Sequence, residues 1–177
     1  MAEEVFRNLR ETSRDVYKGV IISLAQERRL RPVFIQRKPV DAQVDWLVKT
    51  AKLKSSDGVV EHVLQVWLLK SHKELLIDFL DAIGVAHDGD GTVDELPDEL
   101  DADKVGPAID VLLKDRSPEL VATYLWVFQM QKPGGWPALT ERLLEDSRLA
   151  FGATAPAAIP EEVTAPETES APEAEEE

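Results

Sequence analysis

Large apolar residues recur at intervals of three and four along most of this chain, and this spacing restricts the fold more than any other feature. Near the N-terminus it places Val5, Leu9, Val16 and Val20 on one face of a helix, which we predict over about residues 3–29. No run of residues alternates between apolar and polar as a half-buried β-strand would. The spacing therefore predicts an all-α fold.

The same spacing predicts one helical domain rather than several. We expect this domain to cover about residues 3–149, with about six helices arranged in stacked antiparallel αα-hairpins. One helix is predicted at about 40–53, and the last runs from Pro137 to the end of the domain. The residues after Pro32 form either a short seventh helical turn or an irregular connector.

Two segments, at about 58–84 and 106–131, share a pattern of leucines and polar breaks. Each reads as a helical hairpin, and one inserted residue brings the two into register. The aligned leucines are Leu69 with Leu113 and Leu75 with Leu120. The pattern predicts a duplicated hairpin, and the alternative is a chance similarity between leucine-rich helices.

Helix ends are predicted from capping residues. Ser71 with Glu74 has the spacing of a capping box, and Ser117 followed by Pro118 is typical of an N-cap with proline at the first helical position. Gly84 suits the left-handed residue that ends many helices. These signals predict where the helices of each hairpin begin and end.

The chain has 177 residues, no cysteine and a formal net charge of −14. Disulfides, thiolate zinc sites, iron–sulfur clusters and cysteine nucleophiles are therefore excluded. No uncharged run is long enough to span a membrane, and the acidic first residues are unlike a signal peptide. We therefore expect a soluble cytoplasmic protein with no membrane association.

The C-terminal residues 150–177 are rich in Ala, Pro and Glu, with eight Glu and no basic residue. So few large apolar side chains cannot offset the entropy that the segment would lose on ordering. We predict a disordered acidic tail that favours solubility. A partner-binding or autoinhibitory arm is the alternative.

A second acidic segment, residues 85–104, separates the two hairpins and holds eight Asp or Glu residues against Lys104 alone. Part of it resembles the middle of an EF-hand calcium loop. The residues at ligand spacing are Asp88, Asp90, Thr92 and Asp94. Because Ala86 and Pro97 stand where such a loop needs its outer ligands, we expect no metal site but a solvated turn with the glycines at positive φ.

Candidate interaction residues lie in this acidic segment and on other surfaces. The two leucines of segment 95–100 indicate either a loop pinned onto the hairpins or an exposed docking peptide. By composition, the basic stretch 28–54 is the nearest candidate for a positive charge beside the acidic segment, and the net charge argues against nucleic acid as a partner. The candidates are Asp94, Glu95, Leu96, Asp98, Glu99, Arg37, Lys38, Trp46 and Trp136.

Catalysis finds little support in the sequence. His62, His72 and His87 lie on different elements without metal-ligand spacing, and no nucleophile elbow, phosphate-binding loop or dinucleotide fingerprint occurs, so no cofactor is expected. We predict a non-catalytic helical adaptor module whose unidentified protein partner contacts the groove between the hairpins or the 86–103 loop. The alternatives are an ion-responsive regulatory module that uses residues 86–97 and, third, a small-molecule or enzymatic site. The oligomeric state stays open.

Overall fold

The structure is a computed structural model that describes residues 1–151, and the predicted tail lies outside the described residues apart from its first two positions. Over residues 1–151 the chain forms nine α-helices and no β-strand, which confirms the all-α, single-domain prediction. The helices are α1 (Ala2–Thr12), α2 (Arg14–Glu27), α3 (Pro32–Gln36), α4 (Val40–Ala51), α5 (Asp57–Ser71), α6 (Lys73–Ile83), α7 (Ala102–Asp115), α8 (Pro118–Met130) and α9 (Pro137–Glu145).

The first predicted helix is two helices, because the chain bends at Ser13. This residue has φ −145° and ψ 63°, and its N–H still bonds to the Leu9 carbonyl at 2.8 Å. Just before the bend, the Thr12 hydroxyl donates to the Asn8 carbonyl at 2.9 Å, a local bond that competes with regular helix. The bend lets α1 pack against α2 as well as α4 and α5.

The predicted caps are correct in two places and wrong in one. The Ser117 hydroxyl accepts the Leu120 N–H at 3.3 Å, and Gly84 ends α6 at φ +77°. Ser71 does not cap α6, since it is the last residue of α5 and its hydroxyl donates to the Asn8 side-chain oxygen at 2.6 Å. A long-range bond to α1 thus replaces the local capping box, and His72 occupies the cap position.

Two predicted helix boundaries also differ from the structure. Helix α7 starts at Ala102, where the Asp101 carboxylate accepts the Asp103 N–H at 3.1 Å, so Pro107 lies inside the helix. Proline there removes one intrahelical bond, which is tolerated close to the helix start. Helix α9 ends at Glu145, and a separate 3₁₀ turn follows at Ser147–Leu149.

The two predicted hairpins correspond to α5 with α6 and α7 with α8. Helix α6 packs against α7, and α5 packs against α8, so the four helices share one core. Leu75 is buried there, while Leu69, Leu113 and Leu120 are half-buried against it. Leu69 and Leu113 are thus alike in burial, whereas Leu75 is more buried than Leu120, and the duplication itself stays a prediction.

An aromatic cluster fills the centre of these four helices and extends to α9. The Phe79 ring meets the rings of Tyr124 and Phe128 edge-on at 5.4 and 5.3 Å. Trp136, just before α9, stacks on Phe128 with a centroid distance of 4.7 Å and an interplanar angle of 16°. Such contacts add to the free energy gained by burying the rings. The cluster therefore joins α6, α8 and the start of α9.

The side chain of Gln129 holds the turn that leads into α9. Its Oε1 accepts the Trp136 backbone N–H at 3.1 Å, and its Nε2 donates to the Trp136 carbonyl at 3.3 Å and to the Thr140 hydroxyl. Gly135 passes so close that a Cβ there would lie 1.9 Å from the Gln129 Nε2. The glycine, at φ +65°, is therefore required for this approach.

We predict that Gln129→Leu lowers the free energy of unfolding by about 1–3 kcal/mol, because the Trp136 N–H would be buried without an acceptor. Gln131→Leu is the matched control, since this exposed amide donates only to the Val127 carbonyl near the helix end. The control should stay within about 0.5 kcal/mol of the wild type. Urea unfolding of both variants measures the difference, and equal losses would contradict the role of Gln129.

Candidate interaction site

An apolar cleft lies between α5, α6 and α8, and the acidic segment forms one of its walls. The cleft has a volume of about 250 Å³ and is open to solvent on one side. The residues with polar side chains that line it are Gln65, Thr92, Tyr124 and Gln131, and no charged residue lines it. The principal aliphatic lining residues are Leu69, Leu76, Leu80, Val93, Leu96 and Val127.

Two glycines in the left-handed conformation turn the loop so that it packs along the cleft. Gly89 has φ +74° and Gly91 has φ +85°, as predicted for this turn. Gly91 lies directly against α6, since a Cβ on it would be 3.0 Å from the Leu76 Cβ. Only glycine therefore lets the backbone pack so closely against the Leu76 side chain.

Between these two glycines in the chain, Asp90 forms a local turn. Its Oδ1 accepts the backbone N–H of Thr92 at 2.8 Å and also the Thr92 hydroxyl. These hydrogen bonds favour the charged form and lower the pKa of Asp90. Asp90, one of the residues at calcium-ligand spacing, thus shapes the loop. Asp88 accepts no such bond among the hydrogen bonds of residues 1–151.

The N-terminal end of the loop is held by His87. Its Nδ1 accepts the Gly89 N–H at 3.0 Å, so the ring proton lies on Nε2, which is 3.1 Å from the Asp81 carboxylate. This pair of partners defines one neutral tautomer that donates to Asp81. His87 thereby connects the loop to the last turn of α6.

The C-terminal end of the loop is held by Trp136. The indole N–H donates to the Pro97 carbonyl at 2.8 Å, while Lys132 donates to the Asp98 carbonyl. The Lys132 ammonium also lies 5.6 Å from the centre of the Trp136 ring, within cation–π distance. Leu96, just before these bonds, packs against the core, so the loop is pinned rather than free.

Negative charge lies beside the cleft-lining loop residues along the chain, and we call this part of the loop the acidic mouth of the cleft. Asp94, Glu95, Asp98 and Glu99 are all exposed. The positive groups near the loop are Lys132, Lys104 and Lys73, not the 28–54 stretch, so that expectation is wrong. The ion pairs that this stretch forms within residues 1–151 join Asp41 and Asp45 to Arg7 and Lys49.

Tyr124 is one of the residues that line the cleft. The residue is 3% exposed, and its hydroxyl takes part in none of the hydrogen bonds among the described residues. Burial raises the pKa of Tyr124, so the hydroxyl keeps its proton and can donate. Among the described residues no fully buried side-chain polar atom lacks a hydrogen-bond partner, so this hydroxyl keeps some contact with solvent. The cleft therefore offers one hydrogen bond to a bound group.

The predicted interaction residues separate into three groups. Leu96 lines the cleft, whereas Asp94, Glu95 and Asp98 line a separate opening between residues 84–88 and 94–98, and Glu99 is exposed beside them in the chain. Arg37 and Lys38 are exposed after α3, and Trp46 is half-buried on α4. Trp136 is 0% exposed, so its assignment as an interaction residue is wrong. Its indole is enclosed because it joins Phe128 to the loop.

Sequence reasoning missed the residues that line the cleft. Leu69, Tyr124 and Val127 lie on apolar helix faces, and a face of this kind is indistinguishable from a fully packed one without the tertiary arrangement. Val93 is an apolar residue among the carboxylates of the acidic segment, and this position in the sequence is the signal that could have indicated a loop folded back onto the helices. In the structure it packs against the core.

Metal-ligand and membrane features are also absent from the described part of the chain. No three His, Asp or Glu side chains in residues 1–151 come together in a way that could hold a metal ion. Among the same residues, no helix is both long and apolar enough to cross a membrane.

Comparison of the chain with protein-family models, with curated proteins and with solved structures finds no match. The function is therefore inferred from the cleft and its surroundings.

We predict that Gly91→Ala destabilises the protein more than Gly89→Ala. Both glycines are left-handed, so each alanine costs about 1–2 kcal/mol of backbone strain. Only at position 91 does the new Cβ meet Leu76, while position 89 faces open space. Overpacking should add about 1 kcal/mol or more to the Gly91→Ala loss in denaturant unfolding. Equal losses would contradict the packing of the loop against α6.

We expect calcium to bind residues 86–97 no more tightly than about millimolar, the range of the weakest calcium modules. Asp90 already accepts two hydrogen bonds from Thr92, and Ala86 and Pro97 supply no side-chain ligand. Isothermal titration of the wild type and of Asp90→Ala at physiological ionic strength measures this affinity. A micromolar dissociation constant that Asp90→Ala abolishes would instead favour the ion-responsive alternative.

Proposed function

We propose that the protein is a non-catalytic adaptor module, acting in the cytoplasm, whose cleft binds an amphipathic helical segment of a partner protein. The observation that carries the proposal is the acidic loop that forms one wall of an apolar cleft. A helix laid into such a groove inserts apolar side chains spaced three and four residues apart. Basic residues on the same helix would then face the carboxylates at the mouth.

The size and lining of the cleft support a protein partner over a small molecule. Sites for small molecules typically measure about 300–1,000 Å³ and contain a few convergent polar groups. This cleft is smaller, at about 250 Å³, and is open and mostly apolar. It suits one or two apolar side chains that extend from a larger surface.

The charge around the cleft supports a basic partner. Asp94, Glu95, Asp98 and Glu99 are exposed on the loop and attract positively charged segments before contact. The chain's own residues 152–177 carry eight Glu and no basic residue, so their charge opposes binding at this acidic mouth. The partner segment is thus expected to come from another protein and to contain Lys or Arg.

Tyr124 supports the location of the bound segment. Tyr124 lines the cleft, and its hydroxyl forms no hydrogen bond with the described residues, so we expect a backbone carbonyl or side-chain oxygen of the partner to accept from it. A hydrogen bond of this kind contributes about 0.5–1.5 kcal/mol to binding. The contact would fix the register of the partner helix.

We predict that random peptides of about four helical turns, selected for binding to the full chain, share a pattern. The enriched sequences should carry apolar residues at i, i+3 or i+4, and i+7, together with Lys or Arg. Leu69→Gln should weaken their binding about tenfold or more, which corresponds to about 1.4 kcal/mol. Tyr124→Phe should weaken it about two- to tenfold without lowering the melting temperature.

Leu144→Gln is the matched control, because Leu144 is also apolar, is 72% exposed and lies on α9 away from the cleft. Its peptide affinity should equal that of the wild type. Replacing Asp94 with Asn and Glu95 with Gln should lower the association rate and reduce its salt dependence. Enriched peptides that bind Leu69→Gln as tightly as the wild type, or that lack basic residues, would contradict the proposal.

A further inference from the structure

A second surface, on the turn between α2 and α4, combines positive charge with exposed apolar side chains. Phe34 is 59% exposed, Leu30 44% and Val33 40%, although large apolar residues are usually scattered singly over a surface. Five exposed basic residues surround them within eleven positions of the chain. We call this surface the basic–apolar patch, and its residues are Arg28, Arg29, Leu30, Arg31, Val33, Phe34, Arg37 and Lys38.

The patch is held on a fixed backbone. Ile35 is buried beneath it, and the Gln43 Nε2 donates to the carbonyls of Gln36 and Lys38 at 3.1 and 2.8 Å. The Gln43 Oε1 in turn accepts the Tyr17 hydroxyl at 3.2 Å. The apolar side chains are therefore presented outward by an ordered turn, and their exposure is not the result of fraying.

The positive charges of the patch have no partner within the described residues. None of its five basic residues belongs to an ion pair in residues 1–151, where the pairs involve Arg7, Lys49, Lys104, Arg116 and Arg148 among others. Like charges held so close repel one another until an anionic group binds. The patch thus fits an anionic segment that also carries some apolar side chains.

The chain contains such a segment in residues 152–177. Its eight Glu are accompanied by Ile159 and Val163 and by no basic residue. A segment of this length extends to about 85 Å, whereas a domain of about 150 residues has a radius of gyration of about 15 Å. Residues 152–177 can therefore reach the patch from Phe151, and the covalent link gives an effective concentration of about millimolar.

We propose that residues 152–177 bind the basic–apolar patch of the same chain and compete there with other anionic partners. The Glu carboxylates would pair with the Arg and Lys side chains, and Ile159 or Val163 would cover Phe34. The acidic mouth of the cleft repels the same residues, which directs them to this surface. The inference does not depend on the function proposed for the cleft.

The lack of native cysteine gives a direct test in the full chain. In the Ser170→Cys variant, a nitroxide attached at position 170 should broaden the amide NMR signals of residues 28–38 more than those of the acidic loop 86–97. About 0.5 M salt should restore the signals, because contacts between exposed charges are screened at that ionic strength. Broadening that is absent, or equal over the whole surface, would overturn the proposal.

A pair of charge variants separates a specific contact from general attraction. Replacing Arg28, Arg31 and Arg37 with Gln should remove the broadening. Replacing Lys49, Lys52 and Lys54 with Gln, a change of the same net charge at exposed positions outside the patch, should leave it unchanged. An equal loss in both variants would overturn the proposal, since it would indicate long-range charge alone.

Two further measurements distinguish other occupants of the patch. Mixing nitroxide-labelled chain with unlabelled ¹⁵N chain should give no broadening, and broadening there would assign the contact to a second copy. A variant with all eight Glu replaced by Gln should bind vesicles of equimolar phosphatidylserine and phosphatidylcholine more tightly than the wild type does. Equal tight binding by both chains would assign the patch to a membrane surface and overturn the proposal.

Discussion

The indole of Trp136 is the contact on which the arrangement of this molecule depends. One face stacks on Phe128 in the helical core, the N–H holds the Pro97 carbonyl, and the backbone on either side of the ring is bonded to Gln129. The loop between α6 and α7 has no secondary structure of its own, so its position comes from bonds to the helices. Without the indole, the C-terminal end of this loop would lose its buried hydrogen-bond donor.

Because the loop is fixed in this way, its carboxylates have defined positions on the surface. The seven carboxylates between α6 and α7 would repel one another and spread into solvent on a free loop. Here Gly91 packs against Leu76 and Leu96 against the core, so the carboxylates are held beside apolar surface. Repulsion among them is a cost that the packing offsets. A cation arriving with an apolar side chain would relieve the repulsion and fill the cleft in a single binding step.

The sequence predicts the helices better than the contacts between them. Helix class and most helix ends follow from local apolar spacing and capping residues such as Ser117 and Gly84, since these signals act within one or two turns. Ser71 shows where local reasoning fails, because its hydroxyl donates a hydrogen bond to Asn8, 63 residues away in the chain. The sequence likewise suggests Trp136 as an interaction residue, because no local pattern shows that distant parts of the chain enclose its indole. The cleft requires three helices and a loop, so no local pattern could predict its lining.

The distribution of charge links the two surfaces of the domain. The acidic mouth of the cleft and the basic–apolar patch lie on different elements, and no ion pair within residues 1–151 joins them. A polyanionic segment is therefore attracted to one surface and repelled by the other, whatever its exact conformation. A partner with a basic amphipathic helix experiences the reverse preference. If both proposed contacts form, opposite charges on separate apolar surfaces would let one small helical domain distinguish two classes of segment without any change in its fold.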